Sequence, residues 1–362
     1  MKTGILGLPQ VGKTSLFKIL TKAKIEDRGY SGSREAHLGI AKVPDERLAK
    51  LAALYQPKKT IYATVEYSDV AALSQEALKE AGFLANLRNM DALIHVVRAF
   101  DDDSIPHEKG SIDPLRDIRN VEFDLIVSDL GQVEKRMERV AKDMKKGRTA
   151  ELEKEQALLI RCKEKLEQEA PLRELEMTAD EKRLVRGFTF LSQKPMLYVL
   201  NISESETLGA DVEAAVVKCG LTEVAARPNA GATAICGKVE ADLAEMPEDD
   251  AEDFLASYGL VESGLHRLIR KSYELLGLIS FFTVGEDECR AWTVPVNSRA
   301  QEAAGAIHSD LEKHFIRAET IHWDTLLEQG SEAAARAVGK LRLEGKDYRV
   351  QDGDVMHIRH SG

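Results

Sequence analysis

Gly7-Leu8-Pro9-Gln10-Val11-Gly12-Lys13-Thr14-Ser15 decides how this chain of 362 residues is read. A glycine, four residues and then Gly-Lys-Thr form a pattern in which main-chain N–H groups curl around phosphate oxygens. Upstream, Thr3 to Leu8 is short and apolar, as a buried strand would be. Downstream, Thr14 to Leu20, with Leu16, Phe17 and Ile19, is an amphipathic helix whose positive dipole end faces the same loop. Chance matches to the pattern occur, but this one lies between an expected strand and an expected helix. Lys13 is expected to reach the β and γ phosphates of a nucleotide, and Thr14 to ligate Mg²⁺ through its hydroxyl.

Outward from this loop, strands and helices alternate. Thr60 to Tyr67, Leu93 to Val97, Pro195 to Leu200 and Ala232 to Cys236 are short, apolar and rich in β-branched residues. Such alternation predicts an α/β fold with a mainly parallel sheet, whose ligands sit at the carboxyl ends of the strands. Asp69 falls at one such end, where it would hold Mg²⁺ through water. Asn201-Ile202-Ser203-Glu204 follows another, at the place where a purine base would be read. A glutamate with no neighbouring lysine fits guanine's N1 and N2 donors poorly, so adenine is the better-fitting base. Cys236-Gly237-Lys238 follows a third strand, where backbone N–H groups would cover the base.

Between 123 and 184 the strand signal vanishes. Ile126, Leu130, Val133, Met137, Val140 and Met144 make a heptad seam, continued by Leu152, Leu159, Cys162 and Leu166 beyond a break at Gly147. This predicts an antiparallel helical hairpin inserted into a nucleotide domain made of 1–122 and 185–276. From 277 to 362, short strands at Ser280–Val284, Arg290–Val294, Phe315–Glu319, Tyr348–Val350 and Val355–Ile358, with a turn at Asp352-Gly353, predict a small α+β module. Within the hairpin, Glu134 to Arg148 holds seven Lys or Arg and three Asp or Glu, and Lys135, Arg139, Lys142 and Lys146 share one helical face suited to a phosphate backbone.

With 43% hydrophobic and 31% charged residues, the chain has the composition of two or three packed domains. Cys162, Cys219, Cys236 and Cys289 lie far apart without a CxxC pair, so neither a zinc site nor a disulfide framework is expected. No run approaches the ~18 apolar residues of a membrane span, and the N-terminus leads straight into the polar loop. A cytoplasmic protein with no membrane partner is the expectation. A net charge of −11 argues against uniform coating of nucleic acid, and no DNA sequence specificity is expected.

The segments GLPQVGKTSLF, SDVAAL, NISE, VEADLAE (239–245), RAWTVP, AAGAIHSDLEKHFIRAET and GKDYRVQDGDVM together resemble the YchF subfamily of Obg-related P-loop proteins, the Obg-like ATPases, over nearly the whole chain. The resemblance implies a Ras-like P-loop domain of the translation-factor type, split by a coiled-coil hairpin, and a C-terminal ubiquitin-like TGS domain. It implies use of ATP at least as well as GTP, and association with the ribosome and its RNA through hairpin and TGS domain. Carried onto this sequence, Gly7, Leu8, Pro9, Gln10, Val11, Gly12, Lys13, Thr14 and Ser15 would hold the phosphates. Asn201, Ile202, Glu204, Cys236 and Gly237 would face the base. Thr14 and Asp69 would hold Mg²⁺, and Lys13 and Leu73 would stand at the site of hydrolysis.

The chain also departs from that pattern. Gln10 stands where the family has Asn, at a position linked to a monovalent cation. Arg28 to His37, with Ser33 as the stand-in for a threonine, replaces the aromatic-rich first switch. The second switch reads Asp69-Val70-Ala71-Ala72-Leu73, and Ser74 to Glu80 replaces a glycine-rich stretch. Fewer glycines give a stiffer γ-phosphate sensor, and Leu73 cannot orient water as a glutamine would. The expectation is a slow ATPase; the alternatives are a nucleotide-gated, RNA-binding scaffold with little turnover, or a GTP-binding member of the same family.

Overall fold

The computed structural model describes residues 1–22, 37–74, 76–207 and 212–361. Most of the first-switch segment, Ser33 included, lies outside them. In chain order the strands are β1 (Lys2–Leu6), β2 (His37–Lys42), β3 (Lys59–Ile61), β4 (Thr64–Asp69), β5 (Ala92–Arg98), β6 (Met196–Asn201), β7 (Ala230–Ile235), β8 (Leu278–Thr283), β9 (Glu288–Pro295), β10 (Phe315–His322), β11 (Arg342–Glu344) and β12 (Asp354–His360). They form two six-stranded sheets, ordered β2-β4-β1-β5-β6-β7 and β11-β10-β12-β8-β9-β3.

The chain folds as two compact units, Met1–Gly39 with Glu66–Leu268, and Ile40–Val65 with Ile269–Gly362. In the first unit β1 pairs in parallel with β4 and β5, and β5–β6 and β6–β7 are parallel as well. All seven residues of β5 and all six of β6 are buried. That is why these segments read as continuous apolar runs: helices cover both faces of a parallel sheet and leave no solvent side.

Two residues of β5, His95 and Arg98, break the apolar rule. His95 is buried, its Nδ1 has no hydrogen-bond partner, and its ring meets Tyr198 edge-on at 6.1 Å. Burial lowers its pKa to about 3, so it is neutral in the fold. Unfolded, the imidazole titrates near ~6.5, so between these values the unfolded chain binds the extra proton and stability rises with pH. Denaturant titrations should show stability falling by up to about 1.4 kcal/mol per pH unit from pH ~6.5 downward. His95→Leu should remove that part of the slope, and an unchanged slope would refute the assignment.

The hairpin is α4 (Pro114–Lys146) and α5 (Ala150–Glu167). Asp113 caps α4, accepting from the Arg116 N–H at 3.0 Å, with Pro114 in the first turn where no N–H is needed. Thr149 caps α5 just beyond Gly147. The seam residues read from the sequence form one apolar cluster, with Val133, Val140, Leu159 and Cys162 fully buried, and Arg136 clasps Glu155 at 2.7 and 2.8 Å across it. The start of α4 does something else: Ile118, Val121 and Leu125 pack into the core of the nucleotide sheet. The heptad reading placed the hairpin from 123; its first helix begins at Pro114, because those turns serve the globular core and not the seam. Asp129 roots the hairpin, accepting from the N–H groups of Leu191 and Ser192 at 3.0 and 2.7 Å just before β6.

In the second unit β8 and β9 are an antiparallel pair, β12 runs antiparallel to β10, and the helix Ala300–Ile307 packs Ala300 and Ala303 against Phe281, Ala318 and Met356. This unit also takes in α2 (Glu46–Tyr55) and β3, which lie far earlier in the chain. β3 pairs with β9 in parallel, Lys59 opposite Glu288 and Ile61 opposite Arg290. Arg47 bonds Asp45 and Asp352, the latter at 2.7 Å, with its guanidinium over the Phe282 ring at 5.3 Å. Leu48 and Leu51, on the inner face of α2, are fully buried.

Two strand readings need correction. Thr60 to Tyr67 is two strands in two sheets, β3 and β4, because a β-branched run carries no record of which partner it pairs with. Tyr348 to Val350 is not a strand. Arg349 makes only an isolated bridge to Arg299, Tyr348 donates its hydroxyl to Asp354 at 2.8 Å, and β10 pairs with β11 on one side and β12 on the other. The turn at Asp352-Gly353 is present, with Gly353 at φ 94°.

Candidate nucleotide-binding site

Gly7 follows β1, Asp69 closes β4, Asn201 closes β6 and Cys236 follows β7, so the motifs meet at the carboxyl edge of one parallel sheet. β1 lies between β4 and β5, where the winding direction reverses and a crevice opens. Two glycines shape the loop there. Gly12 has φ 92°, and a Cβ at that position would lie 2.5 Å from Asn201 Nδ2. A Cβ at Gly7 would lie 2.7 Å from the carbonyl oxygen of Val96. Gln10 holds φ 62°, a left-handed conformation that asparagine accepts more readily than glutamine, which gives the departure at this position a local backbone cost.

The helix entered by this loop, α1 (Lys13–Thr21), has no acidic residue in its first turn and no side-chain cap, so its leading N–H groups remain for an anion. Thr14 and Ser15 are exposed at its start, as are Pro9 and Gln10 in the loop. Leu8 packs partly against the core and Val11 is buried, so these two contribute through main chain. Lys13 is buried and its Nζ donates to Asp69 Oδ1 and to the carbonyl oxygen of Val70. Thr14 donates its hydroxyl to Asp69 Oδ2 at 3.0 Å.

Loop lysine, helix hydroxyl and strand-end carboxylate therefore converge on one point. Thr14 and Asp69 offer hard oxygen donors, and among the described residues no cluster of three His, Cys, Asp or Glu exists to cage a metal. That donor set fits Mg²⁺, which takes one or two protein oxygens and completes its shell with phosphate and water.

The second switch is stitched to this loop. Val70 N–H donates to Ile5 O at 3.2 Å, and Leu73 N–H donates to Gly7 O at 3.0 Å. Leu73 is 1% exposed and its side chain belongs to the core, so it meets the site only through its N–H. Ala77–Lys79 forms a 3₁₀ turn, with Ala77 N–H held by Ser74 Oγ at 3.1 Å, and α3 (Ala81–Arg88) follows.

At the end of β6, Asn201 uses both ends of its amide on main chain. Nδ2 donates to Val11 O at 3.0 Å, and Oδ1 accepts from Gly237 N–H at 3.0 Å. One side chain thus ties the glycine loop to the start of the helix Gly237–Glu245, which begins where the sequence suggested a loop after β7. Ile202 and Cys236 are buried, and Ile202 N–H bonds Ile235 O at 2.8 Å, so neither side chain faces a ligand. Glu204 lies at the rim, accepting from Lys238 Nζ and, at 2.7 Å, from Tyr258 Oη, and these donors hold its pKa below the usual carboxylate range. Tyr258 had no signal in the sequence: it stands in no motif. Within VEADLAE, Glu240 is structural, its buried carboxylate accepting from Gly264 N–H at 2.6 Å at the start of the helix Gly264–Leu275.

A glycine loop entering a helix, its lysine against a strand-end aspartate and an asparagine bracing the loop from a third strand define a P-loop nucleotide-binding protein. Over 99% of its length the chain is 44% identical to the ribosome-binding ATPase YchF of Bacillus subtilis (strain 168), itself covered over 99%. It is 40% identical to the ribosome-binding ATPase YchF of Escherichia coli O157:H7, with 99% and 98% of the two chains covered. The solved structure of the Schizosaccharomyces pombe YchF GTPase superposes with a TM-score of 0.86 at 32% identity, covering 99% of this chain and 97% of that one. The family model YchF-GTPase_C, described as a protein of unknown function (DUF933), matches residues 278–361. The chain belongs to the YchF family.

Proposed function

We propose that this protein is a cytoplasmic, ribosome-associated ATPase that binds Mg-ATP in preference to GTP and hydrolyses it slowly to ADP and phosphate. The observation that carries the reading is the convergence of Lys13, Thr14 and Asp69 beneath the glycine loop. Its Bacillus subtilis and Escherichia coli relatives bear the name ribosome-binding ATPase, which supports both halves of the proposal.

The protein's part is positioning and charge. Lys13 would exchange its bond to Asp69 for a β or γ phosphate oxygen, the main-chain N–H groups of the loop from Gln10 to Ser15 would wrap the polyphosphate, and Thr14 and Asp69 would hold the metal. Mg²⁺ supplies neutralisation of charge between the phosphates. The buried Leu73 offers nothing to orient water, which makes the intrinsic rate slow until a partner completes the site. Glu204, an ionised acceptor, suits the exocyclic amine of adenine. Single-turnover hydrolysis of ATP and GTP with and without ribosomes tests this; a fast intrinsic rate overturns it. The scaffold reading, with almost no turnover, is favoured by the bonds that lock Val70 and Leu73 to β1 and its loop, and the same experiment separates the two.

For the ribosomal contact, Lys135, Arg139 and Lys142 on α4 are exposed and unpaired among the described residues, and Lys146 is exposed beside Asp143. Arg317 and Lys346 of the second unit are exposed and, among the described residues, unpaired as well. Changing the four hairpin residues to glutamate is expected to weaken binding to ribosomes by about a hundredfold or more near ~0.1 M salt and to flatten its salt dependence. Unchanged co-sedimentation would remove the hairpin from the interface.

A further inference from the structure

Glu204 has one more methylene than the aspartate that reads guanine in Ras-like sites. A longer side chain samples more rotamers, and ordering it on binding subtracts from affinity. Two donors order it beforehand. Lys238, in the first turn of the helix Gly237–Glu245 whose Gly237 N–H is held by Asn201, donates to Oε2, and Tyr258 donates its hydroxyl to Oε1 at 2.7 Å.

Tyr258 is itself held in place. It ends the helix Glu248–Ser257, with its N–H on the carbonyls of that last turn. Its ring packs beside Phe254 at 5.1 Å between centroids, and both rings lie against the core of the nucleotide unit. With only two torsions to fix, a packed tyrosine is a rigid donor. Each oxygen of Glu204 keeps a second lone pair, so a base N–H can be accepted without displacing either protein donor.

We propose that Tyr258 is a positioning residue for base recognition: its hydroxyl fixes the Glu204 carboxylate so that it accepts from the exocyclic amine of the bound purine, N6 of adenine. The inference rests on the reading of Asn201 to Glu204 as the base-contacting element.

Tyr258→Phe removes one oxygen and keeps the ring; Glu204→Ala removes the acceptor. Calorimetry on the full-length protein compares Mg-ATP with Mg-purine riboside triphosphate, which lacks the exocyclic amine. The expected result is that Y258F weakens ATP by about threefold to tenfold, the range of one ordinary hydrogen bond, since Lys238 still holds the other oxygen, and leaves the amine-free analogue unchanged. Glu204→Ala should erase the preference for ATP over the analogue altogether. If E204A erases it while Y258F weakens both ligands equally or neither, Tyr258 is merely structural and the proposal fails alone. If E204A leaves the ratio of the two affinities unchanged, the base-contact reading falls and Tyr258 falls with it.

Discussion

Lys13→Ala is expected to weaken Mg-ATP binding by at least about thirtyfold, since a buried charge–charge contact to phosphate costs roughly 2–5 kcal/mol when one partner is truncated. The substitution should also destabilise the protein without nucleotide. Lys13 and Asp69 are a buried pair, with side chains 9% and 6% exposed, and removing one leaves the other charged and largely desolvated. Breaking such a pair costs about 3–5 kcal/mol. Thermal unfolding and ATP calorimetry together test both effects. The double variant Lys13→Ala with Asp69→Asn should regain much of the melting temperature and none of the affinity, which separates the pair's structural role from its grip on phosphate. Full ATP affinity in K13A would end the whole reading of this site.

A chain ending at Leu276 is expected to be insoluble or to melt far below the full-length protein. The sequence suggests that 277–362 could be cut away as a module, but α2 and β3 belong to the same unit as those residues. Truncation would strip the cover from Leu48 and Leu51, worth about 1.5–3 kcal/mol each, and would remove Asp352 from Arg47 and β9 from β3. The exposed 40–65 segment leads straight into β4, the strand that ends at Asp69. Protease sensitivity within 40–65 and reduced Mg-ATP affinity are therefore expected in the truncated chain. Should it prove soluble, protease-resistant and fully competent for ATP, the shared core inferred for α2 and the C-terminal sheet would be wrong.

Much of this protein was legible without coordinates where a local rule writes the structure. The phosphate loop is such a place: Gly12 at φ 92° and a helix starting at Lys13 follow from residue type and order. The heptad from Ile126 to Met144 is another, because a seam must repeat along its helix to be buried. Where one stretch serves two partners, local patterns failed. The opening of α4 packs on the sheet and not on α5, so its periodicity said nothing of the hairpin. Thr60 to Tyr67 looks like one strand because β propensity does not change at Tyr62 and Ala63, where the chain passes from one sheet to another.

The site divides in the same way. Lys13, Thr14 and the glycines declare themselves by spacing, and Asp69 and Asn201 by standing at strand ends. Nothing in the sequence indicates that Asn201 spends both ends of its amide on Val11 and Gly237, that Ile202 and Cys236 face inward, or that Tyr258 meets Glu204.

By itself, the sequence determined the glycine loop between strand and helix, the parallel α/β layout and the helical insertion, because each rests on contacts between neighbours or on a repeat that burial enforces. Only the tertiary structure decided that 40–65 belongs with the C-terminal sheet, that Leu73 is sealed in the core and that a tyrosine from a distant helix holds the Glu204 carboxylate. Those outcomes depend on which surfaces meet after the chain has closed loops of tens to hundreds of residues. The entropy of such closures varies only slowly with their length and leaves no periodic mark in the chain.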